Sequence, residues 1–515
     1  MKQIKLMSGF MTVGFWTLAS RVLGFLREIL IAAYIGPGPL LDAFVAAFRL
    51  PNLFRRFFAE GAFNAAFVPM FAKRLEANDG AHRFAQDAFN LLAVAVLGLV
   101  GLGMVFMPAL VWATAGGFVG DARFDLAVGF GRIAFPYILC MSLAALFSGV
   151  LNATGRFAAA AAAPVLLNIL TCAAMITAAT LGRDVIVWLI WTIPLAGVAQ
   201  LALVWYAAAR AGISLRIGRP RLTPEMRNLV RVALPAALAM GVTQVNLVVG
   251  QLAASNYENA VSWLFIADRL YQLPLGVVGI AVGIVLLPDL SRRLRAGDDT
   301  GAQSALSRAG EFSLLLTVPC AVAFVVIPLP LVSVLYERGA TGPEDVAAIA
   351  LAVAIYGAGL PAFVLQKVLQ PLFFAREDTR SPFRYAIVAM VVNAGLALGL
   401  QPLLGWISPA VAATVAGWAM VLLLWLGARR MGKAAEFDPR FYRRAVRILI
   451  ASLVMGAGLY AVAAIFAPVL SLPYWRYLGL LGLIIVSAVL YFGLGQLIGA
   501  LRLAEFKSAL KRGKT

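Results

Sequence analysis

Charge is what this chain has least of. Only 13% of its 515 residues are Asp, Glu, Lys or Arg, where a soluble domain carries about 25%. Histidine is nearly absent, with His82 alone, and cysteine is limited to Cys140, Cys172 and Cys320. None of these four stands at metal-ligand spacing, which excludes zinc chemistry. The cysteines all lie in apolar runs, where a thiol packs as a small hydrophobe, so no disulfide framework or redox motif is expected. Acids are scarcer than bases, 24 against 43, leaving a net charge of +19. A short cleavable leader is not expected either. The first apolar stretch is much longer than such a segment and carries Arg21 and Arg27.

Apolar residues fill the space, at 62% of the chain with a mean hydropathy of +0.89. A water-soluble enzyme of this size is excluded, and an all-α polytopic membrane protein is expected. A helix needs about 20 apolar residues to cross the hydrocarbon. Fourteen such segments can be placed, at 10–36, 41–72, 86–112, 124–152, 158–181, 185–209, 229–252, 257–290, 311–336, 346–375, 383–402, 408–428, 445–467 and 475–501. The second, eighth and tenth are too long for upright spans and contain prolines, so tilts or breaks are expected there.

The basic excess is a topology signal. With the N-terminus inside, 31 Lys and Arg residues fall in or beside inner segments, against Arg123, Arg183, Arg338 and Arg476 in outer loops. Both termini are therefore expected in the cytoplasm, and the charge needs no nucleic acid to explain it.

Two halves of the chain echo each other. Pro136 is followed by Asn168 and Pro361 by Asn393, each pair 32 residues apart, and Arg49-Leu50 and Arg74-Leu75 are answered by Arg269-Leu270 and Arg293-Leu294. The offset of roughly 220 residues spans six helices, an even number, so the copies share one orientation. Two parallel six-helix lobes around a central cavity are expected, at 1–220 and 221–435, with an appended helix pair and basic tail at 436–515. Transporters are often built so.

Charges inside spans are costly and mark function. Span 1 holds Arg21, Arg27 and Glu28; span 2 holds Asp42, Arg49, Arg55, Arg56 and Glu60; span 8 holds Asp268 and Arg269. Six arginines face four acids, and pairs such as Arg27 with Asp42 or Arg269 with Asp268 would still leave positive charge over. Guanidinium in excess points to an anionic ligand gripped bidentately, a phosphate or carboxylate. Arg132 and Lys367 lie nearer span ends and are read as snorkelling. The stretch Gly427–Ala434 nearly spells a phosphate-binding loop, but it ends in Ala instead of Ser or Thr and follows no strand.

The residues Ser20–Glu28 (SRVLGFLRE), Asp42-Ala43-Phe44, Leu50–Phe63 (LPNLFRRFFAEGAF), Phe135–Leu139 (FPYIL), Leu151-Asn152-Ala153 and Ala267–Leu270 (ADRL) resemble signatures of the MurJ/MviN family of lipid II flippases. That family belongs to the multidrug/oligosaccharidyl-lipid/polysaccharide exporter superfamily. The resemblance runs along the whole chain. It implies a non-enzymatic transporter of the bacterial inner membrane that carries undecaprenyl-pyrophosphate-linked disaccharide-pentapeptide to the outer leaflet. It also implies that Arg21, Arg27, Asp42, Arg55 and Arg269 serve in the cavity, supported by Glu60 and Ser262. Glu28, Arg49, Arg56 and Asp268 are candidates for ion pairing or coupling. Where the family often has an acid, this chain has Gln272.

By the same resemblance, spans 13 and 14 would form a hydrophobic groove for the polyprenyl tail. No cofactor is expected; the membrane potential or an ion gradient would drive transport. Membrane lipids and cell-wall synthesis enzymes are the other partners considered. Two alternatives stay open at this point: a flippase for another polyprenyl-pyrophosphate-linked oligosaccharide such as an O-antigen unit, and a non-transport cell-wall scaffold.

Overall fold

The computed structural model describes residues 2–55 and 62–501. These residues form helices and connecting turns, with no strand among them. Ten of the described helical stretches are long and apolar enough to cross a membrane, so the polytopic all-α reading stands on ten such stretches, where fourteen spans are expected. Helix Lys2–Tyr34 carries Arg21, Arg27 and Glu28 within its apolar length, and helix Ala260–Arg295 carries Asp268 and Arg269; neither is among the ten.

The surface shows why the surround must be hydrocarbon. Helix Val185–Arg210 buries Ile186, Leu189, Ile190 and Ile193 on one side. Its other side exposes Trp188, Trp191, Leu195 and Val198, equally apolar and again at helical spacing. A helix hydrophobic all round is a membrane span or a core helix, and this outer side faces no protein core. Its ends are set by local chemistry. The Asp184 carboxylate caps the N-terminus by accepting from the Ile186 N–H, and Gly212 takes the left-handed turn at its exit, with φ of 81°.

Prolines do not act uniformly. Helix Ala260–Arg295 runs unbroken through Pro274 and Pro288, and Pro343–Phe374 through Pro361 and Pro371. The expected breaks are therefore absent from these two elements. Elsewhere single spans divide: 124–152 becomes Ala122–Ala134 and Tyr137–Ala153, at Phe135-Pro136.

The chain separates into two compact units, one of residues 1–262 with 338–341, the other of 263–337 with 342–515. In the first, helix Lys2–Tyr34 packs on Ala158–Thr180, which packs on Val185–Arg210, and Pro224–Ser255 lies against Ala62–Glu76 and Met107–Ala115. An extended segment in this unit is strapped to helix Ala81–Val105. His82, Gln86 and Asn90, spaced one turn apart, bond the backbone of Ser214, Arg216 and Gly218 in succession.

In the second unit, Asp299–Val326 lies between Pro343–Phe374 and Pro439–Leu470. The core there is built on Leu360, Val364, Val368 and Leu372 with Leu306 and Leu424. Helix Arg476–Leu497 closes on it through the Tyr491 hydroxyl, which donates to the Leu315 carbonyl at 2.7 Å.

Candidate functional site

Among the described residues, the expected site residues fall in three polar clusters, two in the first unit and one in the second. Arg27 stands near the end of helix Lys2–Tyr34. Its Nη2 donates to Glu28 Oε1 at 2.6 Å and its Nη1 to Asn168 Oδ1 at 3.0 Å. Asn168 comes from helix Ala158–Thr180, and its Nδ2 donates to the Ser20 carbonyl at 2.9 Å. Ser20, Gly24 and Arg27 recur at helical spacing, and Gly24 keeps the Asn168 amide close against that stripe, 3.6 Å from where a Cβ would stand. Arg21 is half-buried and makes no hydrogen bond or ion pair among the described residues.

The second cluster surrounds Asp42, in the first turn of helix Pro39–Arg55. Its carboxylate is fully buried and accepts from four donors. Oδ1 takes the Ser262 N–H at 2.8 Å and the Ser262 hydroxyl. Oδ2 takes the Asn259 N–H at 3.1 Å and Arg123 Nη1 at 3.2 Å. Asn259 holds a left-handed φ of 62°, which turns its amide toward the carboxylate. Asp42 thus caps helix Ala260–Arg295 from another element, placing an anion where the helix dipole and free N–H groups favour one.

Arg123 ties the cluster together. It also reaches Asp121 through Nε at 2.6 Å and the Tyr257 carbonyl at 3.1 Å, and it stacks on Phe118 at 4.5 Å. The Arg123 backbone N–H, donating to Asp121, together with its guanidinium, holds the Asp121 carboxyl below its usual value of 3.8. Two further seams lie within this unit. The Gly117 N–H donates to Ser255 Oγ at 3.0 Å, and Thr341 Oγ1 donates to the Ala32 carbonyl at 2.7 Å.

The third cluster, in the second unit, lies along helix Ala260–Arg295. Gln272 donates its amide to Asp268 one turn earlier, and the Arg269 guanidinium lies over Phe265 at 4.7 Å. The residue standing in place of the expected acid therefore serves as hydrogen-bond partner to the acid beside it. The Tyr271 ring packs at a tilt against Tyr356 and Phe363, fixing that face of the helix.

The expected residues fall into place unevenly. Asp42 and Ser262 meet directly, as do Arg27 and Glu28. Arg27 takes Glu28 as its acid while Asp42 takes Arg123, so the Arg27–Asp42 pairing does not form. Arg49 donates to the Leu247 carbonyl at 3.3 Å, and Arg55 is half-buried at the end of its helix. Arg56 and Glu60 lie outside the described residues. Arg123 and Asn168 are the residues sequence reasoning missed as site members. The signal for Arg123 was its place among the four basic residues that fall in the loops expected outside.

With this geometry in view, the comparisons are decisive. The family profile described as lipid II flippase MurJ matches residues 31–486. The chain belongs to the MurJ family of lipid II flippases. A probable lipid II flippase MurJ of Rhizobium tropici is 45% identical, covering 99% of this chain and 97% of that protein. The lipid II flippase MurJ of Burkholderia cenocepacia is 34% identical, covering 96% and 98%.

Among solved structures, a lipid II flippase MurJ in an inward closed conformation superposes with a TM-score of 0.79 at 23% identity, covering 94% of this chain and 98% of that one. An inward-facing multidrug transporter of the MATE family and MOP superfamily matches with a TM-score of 0.68 at 15% identity, covering 81% and 95%. These two likenesses establish the fold. The resemblance in the helix signatures is confirmed over nearly the whole chain.

Proposed function

We propose that this protein carries lipid II from the inner to the outer leaflet of the bacterial cytoplasmic membrane by alternating access. The observation that carries the reading is the family match, which runs from residue 31 to residue 486 and is backed by 45% identity over almost the full length of a relative. Arg21, Arg27, Arg55 and Arg269 are each proposed to offer a cation to the pyrophosphate. Guanidinium suits that task because its planar fork offers paired donors and keeps its charge at any physiological pH. Arg27 supports this assignment. It has five N–H donors, and Glu28 and Asn168 take one each, so three remain for a ligand.

The Asp42 cluster fits a closure that must open and reform during the cycle. Its carboxylate binds three donors from the 255–262 region and its neighbour Arg123, all by hydrogen bonds that can be exchanged for water. With both termini in the cytoplasm, as the placement of basic residues implies, this cluster lies at the outer end of the helices. We further propose that no cofactor is needed and that the membrane potential drives export. Moving one charge through 100 mV is worth about 2.3 kcal/mol, so a diphosphate of roughly two charges gains about 4–5 kcal/mol on leaving a negative-inside cell.

The test is replacement of a host's own lipid II flippase by this chain. Growth, with lipid II reaching the outer leaflet and lost again in Arg27→Ala and Arg269→Ala variants, is the expected result. Lysis would overturn the assignment in favour of another polyprenyl-pyrophosphate-linked oligosaccharide. Growth that persists in both arginine variants would favour a scaffold role. Collapse of the potential should stop export; unaffected export would remove the potential as driver.

A further inference from the structure

The Arg27 guanidinium is oriented by a residue from a different helix that carries no charge. Asn168 is buried, 6% exposed, and uses both ends of its amide. Oδ1 accepts from Arg27, while Nδ2 donates to the Ser20 carbonyl and lies 3.4 Å from the Ser20 hydroxyl. The amide's orientation is fixed by its partners, since a guanidinium can only donate and a carbonyl can only accept. A buried amide bonded at both ends resists rotation, so Arg27 is braced against the backbone of its own helix by way of a second one.

The choice of side chain carries the argument. Arg27 already has a carboxylate beside it in Glu28, at 2.6 Å. A second carboxylate at position 168 would hold Arg27 equally well but would cancel the charge a phosphate needs. An amide accepts the same hydrogen bond and leaves the charge in place. Serine or threonine would accept from Arg27 but is too short to span to the Ser20 carbonyl as well.

We infer that Asn168 is a positioning residue for pyrophosphate recognition: it fixes the Arg27 guanidinium through the backbone of Ser20 without neutralising it. The inference rests on the reading of Arg27 given above. Asn168 itself need not touch the ligand; it acts through Arg27. Pre-setting the fork spares the ligand the cost of ordering a long side chain at the moment of binding.

The experiment is a double-mutant cycle on the purified full-length chain in nanodiscs, with undecaprenyl pyrophosphate as the probe and a thermal melt for each variant. Asn168→Ala is expected to weaken binding about tenfold, the size of one loosened charge-assisted contact. In an Arg27→Ala background the same substitution is expected to change binding no further, because its only route to the ligand is gone. Asn168→Asp is isosteric and retains an acceptor for Arg27; it is expected to fold and yet bind at least as weakly as Asn168→Ala. If Asn168→Ala fails to fold, Asn168→Asp takes its place in the cycle.

Equal losses with and without Arg27 would show a structural role only and overturn the inference. So would parent-like binding by Asn168→Ala or Asn168→Asp. If Arg27→Ala binds as the parent does, the pyrophosphate role of Arg27 falls as well. If Arg27→Ala is weak and Asn168→Ala is not, the inference alone falls.

Discussion

Asp42 and Ser262, 220 residues apart in the chain, are joined by two hydrogen bonds to one carboxylate oxygen, from the serine N–H and from its hydroxyl. The two donors are unequal in what their loss would do. Ser262→Ala removes the hydroxyl and leaves the N–H in place, costing about 1.5–3 kcal/mol as for a hydrogen bond to a charged group. Asp42→Ala removes the acceptor of all four bonds, leaves the buried Arg123 with Asp121 as its remaining carboxylate and frees a helix N-terminus, a loss of about 3–5 kcal/mol. Thermal melts of the two variants in one detergent should preserve that order, and a Ser262→Ala protein melting below Asp42→Ala would contradict it.

The same contact offers a direct way to stop the cycle. Cysteines introduced together as Asp42→Cys and Ser262→Cys replace side chains already within bonding reach, while Cys140, Cys172 and Cys320 are free and belong to other elements. Oxidation should crosslink the pair and take export in cells below that of the same double variant kept reduced. Full export by the crosslinked protein would mean that this closure never opens.

Acid should loosen the cluster from its exposed side. The Asp121 carboxyl is held below its ordinary 3.8, first by the Arg123 backbone N–H and then by the Arg123 side chain. A depressed folded value stabilises the protein fully above the unfolded value and is lost as pH falls through the lower folded one. Melting temperatures of the parent should therefore drop more steeply below pH 4 than those of Asp121→Asn. Parallel curves would show that Asp121 contributes nothing to acid stability.

Much of this architecture was legible in the sequence because a membrane imposes so few rules. Apolar length gave the helices, and in-span charges such as Arg27 and Asp42 marked the polar clusters. Partner choice was not legible. Which acid meets Arg27 depends on helix rotation and packing depth: Glu28 is its neighbour in sequence, and Asp42 is claimed instead by Arg123 from the first turn of helix Ala122–Ala134. Arg123 looked like a topology charge because charge counting weighs position along the chain and ignores which helices pack side by side. Asn168 was visible only as half of the repeated Pro136–Asn168 spacing. An uncharged residue in an apolar helix gives no sign of the arginine it holds. The uninterrupted course of helix Ala260–Arg295 through two prolines was equally hidden, since neighbouring helices can satisfy the backbone groups a proline frees.

The strap along helix Ala81–Val105 yields a local prediction. The Arg216 N–H donates to Gln86 Oε1 at 2.9 Å and the Gly218 N–H to Asn90 Oδ1 at 3.0 Å. Each such bond is worth about 0.5–1.5 kcal/mol net, which corresponds to roughly a two- to tenfold slowing of amide exchange through local opening. Gln86→Leu with Asn90→Leu should accelerate exchange at those two amides and leave helix Val185–Arg210 unchanged. Unaltered exchange at Arg216 and Gly218 would show that the segment is held by something else.

The last helix pair is anchored by a buried acid shared among arginines, and that sharing predicts a hierarchy of losses. The Glu311 side chain, 7% exposed, lies 2.8 Å from Arg308 and 3.1 Å from Arg444, with Arg440 farther off at 3.8 Å and 44% exposed. Arg308 also grips Asp438, whose carboxylate caps helix Pro439–Leu470 by accepting from the Phe441 N–H at 2.7 Å. Glu311→Ala therefore leaves two buried or half-buried guanidinium groups repelling each other at the root of that helix. It should cost about 3–5 kcal/mol, whereas Arg440→Ala, an exposed and distant partner, should cost about 0–1 kcal/mol. Glu311→Gln keeps the shape and one acceptor and should fall between them. Melting curves read alongside limited proteolysis near residue 436 check this order, since loss of the anchor should expose that connection in Glu311→Ala first. Equal melting of Glu311→Ala and Arg440→Ala would show that apolar packing around Ile448, Met455 and Tyr491 holds the pair without help from the charges.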